Sequence, residues 1–370
     1  MKIVNDMKIA YLLGSLSRGG TETLLLDVFR NADKAEFEFI GIHRKHGALK
    51  DDFYATAPKF IQLAPRFPFD IFYFFKLRKI LKKERIQIVH AQQYLDALYA
   101  WIATRFSKIK VVLTFHGYDN FEKKDKWINL IIKRTDKNIF VSHFQKEYYI
   151  RKYDLKPEKQ VVIYNGISFD KFCITNVILD LPQKFPTLRG LKICMVGNFV
   201  RVREQNSVCR FLKLLADKDV TFDFYFVGKK NEAEPWRYDD CVKYCQENRI
   251  GECVHFLGSR NDVPAILKQM DAFVYSTNHD TFGIAVIEAI AAGLPVFVND
   301  WGVMKEIINN GEFATLYKTK NENDLLSKFL LFLQDKEKYK VEAQNAAIEV
   351  RKLFSIERHI NELSKLYNNL

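Results

Sequence analysis

The sequence predicts an α/β protein made of two units, each a parallel sheet with crossover helices. Three observations carry that expectation. Short apolar runs alternate with helical patterns along almost the whole chain. A length of 370 residues, 48% of them hydrophobic, is enough for two separate cores. The periodicity breaks once, across residues 172–190, where Pro182 and Pro186 fall. With 16 Gly and 9 Pro the chain is too poor in both to be linker-rich or of low complexity.

In the first half, strands are expected at 8–13, 37–42, 86–90, 111–115, 137–141 and 160–164, separated by helices such as 21–30 and 94–105. In the second half they are expected at 191–196, 222–227, 253–256, 272–275, 295–298 and 314–316. The tail from 322 to 368 carries helical periodicity throughout. The domains are therefore set at 1–171, a linker at 172–190, and 191–350, followed by a terminal helix over 351–370.

The chain opens without an apolar core and small-residue cleavage site, and no apolar run approaches the roughly 18 residues of a membrane span. Neither export nor a spanning helix is expected. All six Cys lie between Cys173 and Cys253 without a CxxC pair, which suits buried small hydrophobes in a reducing cytosol. No HExxH, P-loop or GxSxG occurs, and Asp217-Lys218-Asp219, spaced like a metal-binding pair, sits where turn acids are common. No metal and no cofactor are expected.

The formal charge of +12 is uneven: residues 1–170 hold 30 Lys and Arg against 19 Asp and Glu, the remainder 27 against 26. An excess confined to one half suggests an anionic partner there: a membrane surface, a phosphorylated lipid or nucleic acid. Residues 67–85, FPFDIFYFFKLRKILKKER, join six aromatics to a dense set of Lys and Arg. Such a helix either lies on an anionic membrane or packs its aromatics on the sheet with only the basic face outside. Without a zinc finger, an aromatic RNA motif or a helix-turn-helix, nucleic acid is not expected.

The stretch HDTFGIAVIEAIAAGLPV, residues 279–296, is the most informative. From Ile284 to Ala292 it is apolar on every side of a helix except at Glu288, and an unpaired buried carboxylate is costly. Helical side chains lean toward the N-terminus, so Glu288 is expected to point back at the turn Asp280-Thr281-Phe282-Gly283, where a pair of sugar hydroxyls would satisfy it. The helix start attracts phosphate, and Gly283 removes bulk where a ligand approaches. The pattern describes a site for a sugar attached to a diphosphate.

At these residues the sequence resembles family 4 of the retaining glycosyltransferases of the GT-B fold, whose donor site is marked by an acid, seven intervening positions and a Glu. Asp280 and Glu288 fit that spacing, with Asp where the family usually has Glu. The resemblance implies two Rossmann-like domains facing across a cleft, the first binding acceptor and the second binding donor. It further implies that Glu288 holds the nucleotide ribose, that Asp280 contacts the transferred sugar, and that Phe282 and Gly283 line the approach. Gly19-Gly20-Thr21-Glu22 resembles the family's glycine loop between donor phosphates and acceptor. His116, in Thr114-Phe115-His116-Gly117, matches a His that approaches the donor sugar, while His90 ends another strand.

In Gly197-Asn198-Phe199-Val200-Arg201-Val202-Arg203, Arg203 takes the position of a Lys that neutralises the leaving diphosphate, and Asn198 replaces an Arg. Arg201 offers a second charge there. Gly258-Ser259-Arg260-Asn261-Asp262-Val263 resembles the segment that cups the base, which nominates Arg260 and Val263. Ser142 and Asn165-Gly166 match further landmarks, expected as an N-cap and a turn. The implied activity is transfer of a hexose-type sugar from a nucleotide-diphosphate sugar to a hydroxyl of a glycan or lipid-linked acceptor. It would proceed with retention and without metal, in cell-envelope polysaccharide assembly. The implied place is the cytoplasm or the inner face of the cytoplasmic membrane. The alternatives are a sugar-nucleotide epimerase or hydrolase of the same architecture, or a nucleotide-sugar-binding subunit without turnover.

Overall fold

A computed structural model of the chain describes residues 7–31, 37–56, 59–67, 70–118, 125–172, 178–183 and 190–370. Cys173, Phe69, Pro186 and much of the expected linker lie outside the described residues. The chain divides into two compact units, one formed by Met1–Ser168 with Phe354–Leu370, the other by Phe169–Leu353.

In the first unit the order is β1 (Lys8–Ser15), α1 (Gly20–Arg30), β2 (Glu38–Lys45), α2 (Lys50–Thr56), β3 (Phe60–Gln62), α3 (Ile71–Lys83), β4 (Ile88–Ala91) and α4 (Tyr94–Ala103). It continues through β5 (Lys110–Phe115), α5 (Asp125–Arg134), β6 (Lys137–Phe140), α6 (His143–Tyr153) and β7 (Gln160–Val162). All seven strands are parallel in the order β3-β2-β1-β4-β5-β6-β7. β1 alternates its side chains between two cores. Ile9, Tyr11 and Leu13 face α1 and the C-terminal residues Ile356, Ile360, Leu363 and Tyr367, while Ala10 and Leu12 share the other core with Leu77, Leu81 and Leu98.

The second unit runs β8 (Leu191–Val196), α7 (Gln205–Ala216), β9 (Phe222–Val227), α8 (Trp236–Glu247), β10 (Val254–Phe256), α9 (Val263–Leu267), β11 (Ala272–Tyr275) and α10 (Ile284–Ala291). Then follow β12 (Val296–Asn299), α11 (Gly302–Ile307), β13 (Thr315–Tyr317), α12 (Glu322–Gln334) and α13 (Lys336–Leu353). Its six parallel strands lie in the order β10-β9-β8-β11-β12-β13.

The last helix, α14 (Ile356–Asn368), belongs to the first unit. Ser355 caps it, accepting from Arg358 N at 3.1 Å. Ile167 N donates to Phe354 O at 2.8 Å and Ile356 N to Ile167 O at 3.1 Å, so the chain returns as a short strand-like pair. Gly166 permits the approach: a methyl there would lie 2.6 Å from His359 Cβ and 2.8 Å from Ile356 Cα. Asn165-Gly166, expected as an ordinary turn, is a docking point. Ser142 caps α6 as expected, accepting from Gln145 N at 3.1 Å. Cys194, Cys209, Cys241, Cys245 and Cys253 are buried free thiols. Asp217, of the DxD-spaced pair, is the C-cap of α7 and bonds to Lys213.

Candidate active site

The winding of the second sheet reverses between β8 and β11, with β9 and β10 on one side and β12 and β13 on the other. Open parallel sheets hold ligands outside the carboxyl ends of the strands at such a reversal. Two loops meet there, 197–204 after β8 and 276–283 after β11. Glu204 N donates to Ser276 O at 3.1 Å, Asn278 N to Val202 O at 3.2 Å, and the Thr277 hydroxyl to Val202 O at 2.7 Å. Asn299, at the end of β12, grips the second loop from the other side. Its amide accepts from Thr277 N at 2.9 Å and donates to Thr277 O at 2.7 Å.

Across this junction Arg203 Nη1 stands 3.1 Å from Asp280 Oδ2. The Tyr275 hydroxyl donates to the same oxygen at 2.8 Å, and its ring lies 5.2 Å from the guanidinium carbon. Asp280 Oδ1 accepts from Thr281 N at 2.9 Å. Gly197 leaves room for the arginine, since a methyl there would lie 3.3 Å from Arg203 Nε. Burial works against the charge on Arg203, but Tyr275 and Asp280 more than offset it and its pKa is raised. The result is a permanent cation held at the edge of the sheet. Asp280 is buried with both oxygens engaged, so its first task is to fix Arg203.

Glu288 sits on α10 among the buried residues Ile287, Ala289 and Ile290. It does not turn to the amides of 281–283; Asp280 takes the Thr281 amide. Instead Glu288 Oε1 accepts from Lys171 Nζ at 2.8 Å, with Lys171 the more exposed of the two. Gly283 has a different purpose from the one expected. Its φ of +87° is a left-handed conformation that a side chain resists, and a methyl there would lie 2.7 Å from Met304 Cε. The space beside Gly283 is filled by α11, not left for a ligand. Phe282 is likewise buried instead of lining an approach.

Asn198 uses its side-chain oxygen to accept from Lys229 N at 3.0 Å, tying the β8 loop to the loop after β9. Arg201 is exposed, and its backbone N donates to Glu234 Oε2 at 3.1 Å. Arg260 grips Asp262 twice, at 2.8 and 2.5 Å, where Val263 opens α9. Asn198 and Arg201 thus lie in the loop after β8, and Arg260 and Val263 follow β10.

In the first unit, Gly19 is the N-cap of α1 and Gly20 its first residue. A methyl on Gly19 would lie 2.6 Å from Glu22 Oε2, so the glycines make room for the chain's own carboxylate at the helix start. Burial raises the pKa of that carboxyl, against backbone and Ser15 hydrogen bonds that lower it. His116, just past β5, pairs its Nε2 with Gln92 Oε1 at 2.8 Å. Burial, with His359 nearby, pushes its pKa down to about 3, so the ring is neutral near pH 7. His90 is structural, with Nδ1 2.5 Å from the Tyr367 hydroxyl and Nε2 2.6 Å from Thr114 Oγ1.

Sequence reasoning missed Lys171, Tyr275, Thr277 and Asn299. Tyr275 and Thr277 follow from their place at the end of β11, which the apolar run AFVY marks. Lys171 lies in the short 3-10 helix Asp170–Phe172, 117 positions from Glu288, and no local pattern joins them.

Residues 18–171 match glycosyltransferase family 4, and residues 181–349 match glycosyl transferases group 1. The chain is 25% identical over 384 residues to the UDP-Gal:alpha-D-GlcNAc-diphosphoundecaprenol alpha-1,3-galactosyltransferase of Escherichia coli, covering 98% of this chain and 97% of that protein. It is 28% identical over 292 residues to the N,N'-diacetylbacillosaminyl-diphospho-undecaprenol alpha-1,3-N-acetylgalactosaminyltransferase of Campylobacter jejuni, covering 74% and 75%. Among solved structures, Anabaena Alr3699/HepE in complex with UDP superposes with a TM-score of 0.86 at 17% identity, covering 98% of this chain and 100% of that one. A glycosyltransferase from Rickettsia africae does so with a TM-score of 0.86 at 22% identity, covering 99% and 98%. At these identities the structural likeness establishes the fold.

Proposed function

The chain is a glycosyltransferase of family 4, and from that membership we propose that it moves a hexose-type sugar from a UDP-sugar to a hydroxyl of a lipid-diphosphate-linked glycan. The observation that carries the proposal is the junction at the β8/β11 reversal, where a permanent guanidinium, Arg203, is locked by Asp280 beside a helix bearing the half-buried Glu288. Both relatives named above act, by their names, on diphospho-undecaprenol-linked sugars, and one takes UDP-Gal; those words support the choice of donor and acceptor.

In this reading Glu288 accepts the ribose hydroxyls, displacing or sharing Lys171. Arg203 keeps unused N–H groups for the diphosphate, whose charge grows as the bond to the sugar breaks. Asn198, Arg260 and Val263 border the nucleotide within the second unit. For Gly19, Gly20 and His116 of the first unit, a part in handling the donor is what the family likeness implies, and His116, being neutral, would offer a hydrogen bond rather than a charge. Catalysis is positioning and electrostatics, without metal or cofactor, and the acceptor hydroxyl attacks on the face the nucleotide leaves, retaining configuration. The first unit presents the acceptor, and the protein works from the cytoplasm at the inner face of the membrane, its basic half toward the anionic surface.

The test is to incubate the purified chain with UDP-galactose, a diphospholipid-linked N-acetylglucosamine and EDTA. Acceptor-dependent UDP release and an α-linked product by NMR are expected. UDP release without acceptor marks a hydrolase, a β-linked product overturns retention, and loss of activity in EDTA overturns metal independence.

A further inference from the structure

We infer that the first unit docks on an anionic phospholipid bilayer through one defined surface, the outer face of α3 together with the turn at Phe106. The helix divides its side chains sharply. Tyr73, Leu77 and Leu81 are buried in the core, with Tyr73 5.2 Å and Phe74 5.6 Å from the Tyr99 ring. Spacings of three and four place Phe72, Phe75, Lys76, Lys79, Lys82 and Lys83 on the opposite, exposed face. Ile71 is 58% exposed, Phe72 60% and Phe75 70%, so the apolar side chains project from the first turns and the lysines follow. Asp70 stiffens the start of the helix, accepting from Phe72 N at 2.9 Å and from Arg66 N at 3.1 Å.

Phe106 extends the surface. It is 91% exposed and held at a φ of +63°, where a bulky side chain is strained, and Arg78 Nη1 ties its turn to α3 by donating to Arg105 O at 2.8 Å. A strained ring held out in water is understandable if another phase covers it.

The lysines identify that phase. On α13 and α14 the exposed lysines are matched by acids one turn away, as in Lys340–Glu337, Lys352–Glu349 and Lys365–Glu362. Among the described residues none of Lys76, Lys79, Lys82 and Lys83 has such a partner, and Glu84, at the end of α3, is taken by Lys59. Isolated rings beside unneutralised lysines suit the boundary of a bilayer, which accepts rings among its acyl chains and ammonium groups among its phosphates without needing shape complementarity. A nucleic-acid duplex, its bases stacked inside, would pair the lysines and leave the rings in water. A second copy across a two-fold axis would set lysine against lysine.

The biological purpose rests on the membrane-held acceptor proposed above; the geometry does not. The test is sedimentation of the full chain with vesicles of phosphatidylcholine alone or with phosphatidylglycerol. Binding to the anionic vesicles only is expected, weakening as salt is raised. Phe72→Ser with Phe75→Ser should weaken it about tenfold or more, and Lys76→Glu with Lys79→Glu comparably. Lys340→Glu with Lys365→Glu, on α13 and α14, should leave it unchanged. The altered residues are exposed, so the melting curve by circular dichroism should not move. Negligible or equal binding to both vesicles, indifference to the α3 variants, or a dimer that Phe72→Ser with Phe75→Ser dissolves would each overturn the inference. Transfer from UDP-galactose to a diphospholipid-linked N-acetylglucosamine dispersed in detergent, without vesicles, is read separately: if it fails while vesicles still bind, the proposed function falls and the docking surface stands.

Discussion

Lys171 Nζ lies 2.8 Å from Glu288 Oε1, and this pair explains how a carboxylate is tolerated on α10. The neighbours Val286, Ile287, Ala289 and Ile290 are buried, and a lone carboxylate among them would be costly. Lys171 is more exposed than Glu288, so the ammonium can leave toward water when hydroxyls arrive to replace it. A lysine donates from a single charged point on a flexible stem, which suits an occupant that must yield.

The first prediction follows from that exchange. Glu288→Gln should raise the KM for the nucleotide-sugar by tenfold or more, because a hydrogen bond to a charged group contributes about 1.5–3 kcal/mol. The change in kcat should be smaller, since the ribose is held equally before and during reaction. Lys171→Met should raise KM by only a fewfold. Steady-state kinetics with the donor varied give both numbers, and an unchanged KM in Glu288→Gln would remove the ribose from this residue.

Arg203 and Asp280 lead to the second. Asp280→Asn leaves the guanidinium half-buried beside a neutral amide, which should cost about 1–3 kcal/mol of stability. It should also lower kcat by roughly a hundredfold or more, as the loss of a preorganised charge does elsewhere. Arg203→Met with Asp280→Asn should recover part of the stability and none of the turnover, because the uncompensated charge is gone with its function. Urea unfolding and donor-saturated rates separate the two effects. An Asp280→Asn protein as stable as the parent would mean that the pair does not hold the loops together.

How legible the molecule was in its sequence depends on the range of the interaction. β8, β9 and β11 begin and end where the sequence places them, because a strand covered on both faces writes its burial as a near-continuous apolar run, unbroken in β11 and interrupted only by Lys192 in β8 and Asp223 in β9. β3, three residues long, was missed: Phe60–Gln62 is too short for any periodicity, and its pairing with Gly41, Ile42 and His43 decides it. Glu288 was legible as an anomaly, a charge on an oily helix. Its partner was not, since a contact spanning 117 positions leaves no local trace. Gly283 was found for an incomplete reason: a glycine shows that something needs the space or the positive φ, and only the fold shows that Met304 takes that space.

The third prediction concerns acid. His359 Nδ1 donates to Tyr164 O at 2.7 Å, and burial holds its pKa down to about 4, against that backbone bond. His116 is pushed down to about 3, and burial holds His90 well below its usual value. In the unfolded chain each titrates near 6.5. Below that pH the unfolded state takes up protons that the folded first unit refuses, so stability falls as pH falls from about 6.5 toward 4. Each histidine costs about 1.4 kcal/mol per pH unit at most, and the three together roughly 4 kcal/mol between pH 7.5 and 5.5. Urea unfolding at those two pH values measures the loss, and His359→Gln should reduce it by about a third. Equal stability at both would show that these rings are protonated in the folded state.

The last prediction tests why α10 begins where it does. At Gly283 the backbone must take a φ of +87° so that the loop carrying Asp280 turns into the helix carrying Glu288. Gly283→Ala meets two obstacles: the left-handed conformation, about 1–3 kcal/mol for a residue with a side chain, and Met304 Cε, 2.7 Å from the new methyl. Met304 is flexible, so the second can be relieved and the first cannot. Gly283→Ala should therefore lose about 1–3 kcal/mol by urea unfolding, and adding Met304→Leu should return little of it. Donor affinity should fall as well, because the turn sets the direction of both acids at once. If the double variant regains full stability, the clash with α11 and not the backbone angle is what fixes glycine at this position.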